Sequence, residues 1–248
     1  LRRQKERGKR HQPRGAAERS CHAARELRRA QVLAVRGEKC LPRGAGVLGE
    51  TGALLAGSRR VAVVSQARIA DAFADPVRAS LDARSEVFLM GDGEAAKTLA
   101  TVEALCRAFA RWGLLRGDAV VALGGGVVGD TAGFAAAAFH RGISVVQVPT
   151  TLLAMVDSAI GGKTGVNLAE GKNLVGAFHQ PVGVVADTET LATLSARDFR
   201  SGLGEVAKYA LMTGVVEDPT GLVDLLRLHT TAVLARDPQI LGDLVARC

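Results

Sequence analysis

Six short apolar runs punctuate the chain, at 32–35, 61–64, 87–90, 119–123, 144–148 and 182–186. Each has the length of a strand and is bounded by turn-forming residues. Between several of them the apolar spacing lengthens to three and four residues. In 95–112, Leu99, Val102, Leu105, Cys106 and Phe109 fall on one stripe, which predicts an amphipathic helix. Strands with little alternation, separated by helices, predict an α/β fold with a parallel sheet covered on both faces. After Leu194 the pattern changes. Ser195 reads as a helix cap, Asp218-Pro219 and Asp237-Pro238 as further helix starts, and the chain runs helix after helix to Cys248. The expected division is a basic, disordered tail at 1–31, an α/β domain at 32–194, and the beginning of a helical domain at 195–248.

Composition supports a core and removes some functions. Of the 248 residues, 48% are hydrophobic, enough to bury a full interior. Seven Phe, one Trp and one Tyr leave no aromatic platform for nucleic-acid bases. The formal charge of +7 is not spread over the chain: residues 1–30 hold eleven Arg or Lys against three Glu, a net of +8, so the remainder is near −1. The basicity belongs to the tail, and no nucleic-acid partner is expected of the rest. Cys21, Cys40, Cys106 and Cys248 form no Cys-x-x-Cys pair, so neither a disulfide framework nor a cysteine zinc site is indicated and a reducing, cytoplasmic setting fits. Three glycines and Asp130 interrupt the apolar stretch 119–139, so it reads as strand, loop and helix, not as a membrane span.

Candidate chemistry is concentrated between Gly124 and Lys208. Asp118-Ala-Val-Val-Ala-Leu-Gly-Gly-Gly-Val-Val-Gly-Asp130 is a buried strand entering a glycine turn and then a helix through Phe139. Glycines let backbone N–H groups approach a phosphate, and a helix N-terminus favours its charge. Gly124-x-Gly126-x-x-Gly129 matches the dinucleotide fingerprint in letter, but strands precede it, and the next strand ends in Pro149-Thr150-Thr151 without a ribose-binding acid. A tight structural turn is the alternative. In Gly91-Asp-Gly-Glu-x-x-Lys97, Glu94 suits ribose hydroxyls and Lys97 suits phosphate; a solvated i,i+3 ion pair is the plainer reading. Lys163 and Lys172 stand on glycine-rich backbone amid apolar residues, which points to an anionic client. Glu205 and Lys208 share a helix face, and by themselves read as a surface ion pair.

Together these segments resemble the 3-dehydroquinate synthase family from about Val32 to Cys248. The resemblance is carried by Leu-Gly-Gly-Gly-Val-Val-Gly-Asp130, Gln147-Val-Pro-Thr-Thr-Leu-Leu-Ala-x-Val-Asp157, Gly161-Gly-Lys-Thr-Gly-Val-Asn167, Gly171-Lys-Asn-Leu-Val-Gly-Ala-Phe-His-Gln-Pro181 and Gly204-Glu-Val-Ala-Lys-Tyr209; the match up to Asp82 is looser. The resemblance implies a Rossmann-like NAD-binding domain followed by a helical domain, and a phosphate-eliminating lyase of the shikimate pathway. Its substrate would be 3-deoxy-D-arabino-heptulosonate 7-phosphate, its product 3-dehydroquinate, and its cofactors NAD and a divalent metal, zinc or cobalt. It implies NAD contacts at Asp92, Gly93, Glu94, Lys97, Gly126, Val127, Val128, Gly129, Asp130, Thr150, Thr151, Lys163, Lys172, Thr190, Leu191, Ala192 and Thr193. Substrate would meet Asp157, Lys163, Asn173 and Lys208, Glu205 would be a metal ligand, and a homodimer would form at full length. The wider alternatives are a cyclase of the 2-deoxy-scyllo-inosose synthase or sedoheptulose 7-phosphate cyclase type, a metal-dependent polyol dehydrogenase, and a non-catalytic NAD-binding fragment.

One departure shapes the expectation. The family completes its metal site with two histidines from the helical domain, and none of His11, His22, His140, His179 and His229 matches them. With a first residue other than Met as well, the chain is expected to be a fragment, inactive or nearly so on its own.

Overall fold

The structure is a computed structural model that describes residues 31–35, 39–212 and 221–248. The basic tail, except Gln31, and the Asp218-Pro219 helix signal lie outside the described residues. The strands are β1 Gln31–Val35, β2 Lys39–Gly44, β3 Arg60–Ser65, β4 Arg84–Leu89, β5 Ala119–Gly124, β6 Ser144–Pro149, β7 Lys163–Leu168, β8 Gly171–Phe178, β9 Gly183–Val184 and β10 Ala186–Asp187. The α-helices are α1 Ala67–Ala79, α2 Leu99–Trp112, α3 Gly126–Ala138, α4 Ala196–Met212, α5 Leu222–Leu228, α6 Thr230–Leu234 and α7 Pro238–Arg247. All six apolar runs form strands, the last split into β9 and β10.

Five strands make a parallel sheet in the order β4-β3-β5-β6-β9. Val61–Val64 and Ala119–Leu123 are buried almost completely, which explains their unbroken apolar sequence: helices cover both faces. From β3 the chain steps outward to β4, then crosses back to β5 and continues through β6 to β9. The reversal puts a topological switch point between β3 and β5, and ligands of such doubly wound sheets bind outside the carboxyl ends at that point. There the Ser65 hydroxyl donates to the Leu123 carbonyl at 2.8 Å.

Two apolar clusters hold the fold. One lies between the sheet and helices α2 and α3, where Phe109, Leu114, Val120, Val128 and Val145 are buried and Phe88 and Phe139 meet Phe109 edge-on at 5.3 and 5.6 Å. The other joins Leu152, Met155 and Leu191 to Phe199, Val206, Leu222, Leu241 and Leu244 of the helices. The buried Asp187 carboxylate accepts from the N–H groups of Gly46, Leu48 and Glu189 at 3.0 to 3.1 Å, tying the end of β10 to the segment after β2.

Some elements differ from expectation. The helix predicted over 95–112 starts at Leu99, after a single 3-10 turn at Glu94–Ala96, with Thr98 as its N-cap. Lys97 and Thr98 are held out of the helix because their backbone pairs with Asn167: Thr98 bridges it in parallel, and the Lys97 carbonyl accepts the Asn167 N–H at 2.9 Å. Strand β2 and the antiparallel hairpin β7–β8 lie outside the predicted runs. No helix among the described residues is long and apolar enough to cross a membrane.

Candidate active site

β5 ends at Gly124 and α3 begins at Gly126, so the glycine turn stands at the switch point. Val128 and Gly129 both donate their N–H groups to the Gly125 carbonyl at 3.0 Å. The N–H groups of Gly126 and Val127, at the first turn, have no carbonyl one turn back to bond, and they form the positive end of the helix. A side chain does not fit freely here. A Cβ on Gly125 would stand 3.0 Å from Thr151 Cγ2, and one on Gly126 3.0 Å from Ser158 Oγ. Thr150 is buried and donates its N–H to the Gly124 carbonyl, while the Thr151 hydroxyl caps the turn that follows by accepting from the Ala154 N–H. That turn, Ala154–Ser158, has π-helical geometry and presents Asp157 and Ser158 beside the glycines.

Lys97 is the most deeply buried cation of the site, with a side-chain exposure of 5%. Its ammonium bonds Asp130 Oδ2 at 2.5 Å and Asn173 Oδ1 at 2.6 Å. The plain reading of a Glu94–Lys97 pair is thereby corrected: Lys97 reaches inward across α3, and Glu94 instead meets Asn167 Nδ2 at 2.9 Å and Lys172 Nζ at 3.7 Å. Burial pushes the Asp130 carboxyl above the usual range, partly offset by Lys97 and reinforced by the nearby Glu94 and Asp157 charges. The Glu94 carboxyl is held below the usual range, first by the bond from Asn167 and then by Lys97 and Lys172.

A second group sits on α4. Glu205 and Lys208 form the ion pair their spacing predicts, and the Lys208 ammonium lies 4.9 Å over the Tyr209 ring. The Tyr209 hydroxyl donates to Asp157 Oδ1 at 3.3 Å, linking α4 to the π-helical turn. Glu205 holds the Lys208 ammonium above its ordinary range. Burial, with Asp157 and Glu205, does the same for the Tyr209 phenol.

Asp130, Asp157, Ser158, Lys163, Asn173 and Phe178 line one cavity of about 450 Å³. Three positions matched to substrate contacts, Asp157, Lys163 and Asn173, thus share a space with Asp130. Lys208 does not line it; its ammonium lies over the Tyr209 ring, whose hydroxyl bonds Asp157. Asp92 and Gly93 form the turn before Glu94, with Gly93 at φ +71°. Thr190–Thr193 belong to the 3-10 turn Thr188–Thr193 after β10, where Leu191 is core and Arg236 donates to the carbonyls of Leu191 and Ala192. The Thr190 hydroxyl donates to the carbonyl of Asp187, the residue that caps the turn, and the Thr193 hydroxyl to that of Thr190. Asn167 and Tyr209 lie inside the recognised motifs, but residue type alone assigns them no role, because their partners are other site residues. Only their position within those motifs marked them.

Glu205 is committed to Lys208, and among the described residues no three His, Cys, Asp or Glu side chains stand close enough to hold a metal. Cys248, near Glu205, has its thiol pushed up to about 12 by burial. The described residues do not build a metal site. The glycine turn, with its bare first-turn N–H groups walled by Thr151 and Ser158, does fit a phosphate-bearing cofactor.

Fold and site define a doubly wound α/β protein with a glycine turn at its switch point, the architecture of the sugar-phosphate cyclases. A 2-epi-5-epi-valiolone synthase of Streptomyces hygroscopicus subsp. jinggangensis, solved with NAD+ and Zn2+ bound, is 31% identical with a TM-score of 0.73, over 88% of this chain and 61% of that one. A 2-deoxy-scyllo-inosose synthase, complexed with carbaglucose-6-phosphate, NAD+ and Co2+, is 34% identical with a TM-score of 0.64, over 68% and 47%. The family model described as 3-dehydroquinate synthase N-terminal matches residues 87–201. The 3-dehydroquinate synthase of Nitrobacter winogradskyi is 53% identical over 175 residues, 68% of this chain and 46% of that protein. The chain belongs to the 3-dehydroquinate synthase family, and it spans about half the length of the curated relatives it matches.

Proposed function

We propose that the chain provides the cofactor domain and part of the substrate site of a 3-dehydroquinate synthase. This enzyme is an NAD-dependent lyase that eliminates phosphate from 3-deoxy-D-arabino-heptulosonate 7-phosphate. The observation that supports this best is the convergence of Asp130, Asp157, Lys163 and Asn173 on one cavity beside the glycine turn, in a chain 53% identical to a synthase of that name. A divalent metal belongs to the family's reaction, but the described residues give it no complete site. A cytoplasmic setting and a homodimer belong to the same reading.

Bound NAD supplies a hydride acceptor that is restored within one turnover, so a ring hydroxyl becomes a ketone for the time that phosphate leaves. The chain's own residues have simpler tasks. The Gly126 and Val127 N–H groups take the cofactor's pyrophosphate, and Glu94 accepts from ribose hydroxyls. Lys163 pairs with the substrate phosphate, whose charge grows as its C–O bond breaks. Asp157, steadied by the Tyr209 hydroxyl, orients substrate hydroxyls, and Asn173, held by Lys97, closes the cavity from the hairpin side.

The test is phosphate release by the purified chain with NAD and zinc. Substrates are 3-deoxy-D-arabino-heptulosonate 7-phosphate, glucose 6-phosphate and sedoheptulose 7-phosphate, each with a chelator control. The expected outcome is saturable NAD binding with little or no release, because Glu205 alone holds metal weakly. Any chelator-sensitive release should come from the heptulosonate. Release from one of the other sugars, or no NAD binding, overturns the proposal.

A further inference from the structure

Asn167 interrupts the β7–β8 ladder. Val166 pairs with Val175 and Leu168 with Gly171, so the register shifts between them: three residues of β8, Lys172–Leu174, bulge opposite Asn167 alone. A bulge breaks the regular pairing, so the residue facing it can turn its polar groups to other partners. Three groups of Asn167 do so. The Asn167 N–H donates to the Lys97 carbonyl, its Nδ2 donates to Glu94 Oε1, and its Oδ1 accepts the Asn173 N–H, each at 2.9 Å. The amide orientation follows from its neighbours, since only Nδ2 toward the carboxylate and Oδ1 toward the N–H satisfies both. Asn173 sits at φ +57°, a conformation uncommon outside glycine, and its side chain accepts from Lys97.

We infer that Asn167 is a positioning residue: it locks the loop carrying Glu94 to the turn carrying Asn173, fixing a cofactor-side carboxylate and a substrate-side amide at one spacing. The inference rests on the proposed function for what those two groups meet, while the lock itself rests on the three bonds. It predicts that the two contacts respond together to changes at Asn167 and separately to changes that spare one bond.

Three variants separate the bonds: Asn167→Ala removes both side-chain contacts. Asn167→Asp keeps an acceptor for Asn173 but faces Glu94 with a second carboxylate. Asn167→Asp combined with Glu94→Gln restores a donor–acceptor pair with its direction reversed. Amide hydrogen exchange at Asn173 is read without ligand, NAD affinity by calorimetry, and folding by thermal melting. Exchange at Asn173 should quicken about tenfold in Asn167→Ala and stay near wild type in Asn167→Asp. NAD should bind about tenfold more weakly to each single Asn167 variant than to wild type, whereas the double variant should bind as well as Glu94→Gln alone, measured as the reference for the lost ribose carboxylate. A merely structural asparagine gives no such rescue. Unchanged Asn173 exchange in Asn167→Ala, or a folded double variant that binds NAD about tenfold more weakly than Glu94→Gln alone, overturns the inference. A wild-type chain that fails to bind NAD while the exchange pattern holds overturns the cofactor reading and leaves the lock standing.

Discussion

Replacing Lys97 with Met is expected to lower folding stability by about 3 kcal/mol at neutral pH, because it strands a buried carboxylate and an amide oxygen that share one ammonium. Lys97 and Asp130 have side-chain exposures of 5% and 17%, so water replaces the lost partner poorly. The loss depends on pH with a definite sign. Burial already raises the Asp130 carboxyl, and without Lys97 nothing nearby opposes that rise. A carboxyl with a raised folded-state pKa binds more protons folded than unfolded. Its favourable contribution is therefore complete below the unfolded value and is lost as pH rises through the folded one. The deficit of Lys97→Met relative to wild type should be smallest at about pH 4 and grow toward neutrality, as read from urea unfolding across that range. A deficit that does not change with pH would show that Asp130 is not charged in the folded protein.

Gly176→Ala should be at least as damaging, although it adds one methyl group. In the β7–β8 hairpin, a Cβ on Gly176 would stand 1.9 Å from the Thr164 carbonyl oxygen and 2.6 Å from Gly165 Cα. Both are backbone atoms, and no side-chain rotation relieves the overlap. The strands must part, moving Lys163 on one and Asn173 on the other, so the cavity opens as the hairpin does. The expected cost is about 3 kcal/mol or more, at the upper end for overpacking, with anion binding at Lys163 lost in whatever folds. Near-native stability, with the phosphate-induced shift in melting temperature intact, would mean that the strands are not this close.

What the sequence made legible follows from burial. β3, β5 and β6 are covered on both faces, so their apolar runs had no polar interruptions and could be read directly. The β7–β8 hairpin hid because β8 is largely exposed and both strands carry Gly and Asn, residues that signal turns. The glycine turn and the Glu205–Lys208 pair were visible because each is local. Lys97 is legible as a site residue, but its bond to Asp130 is not, since Asp130 lies 33 residues away and only the packing of α3 brings it near. The roles of Asn167 and Tyr209 were hidden for the same reason: each works through a contact that spacing along the chain does not reveal.

Calorimetric titration of the purified chain with NAD tests the central claim most directly, set beside the same titration of Gly126→Asp. An acidic residue suits the first turn of α3, and the Ser158 hydroxyl, 3.0 Å from the new Cβ, can shift aside, so this variant should fold. Its carboxylate would occupy the place assigned to the pyrophosphate. One saturable site per chain, weakened by about tenfold or more in Gly126→Asp, is the predicted result. No saturable binding, or binding that Gly126→Asp leaves unchanged, would contradict it.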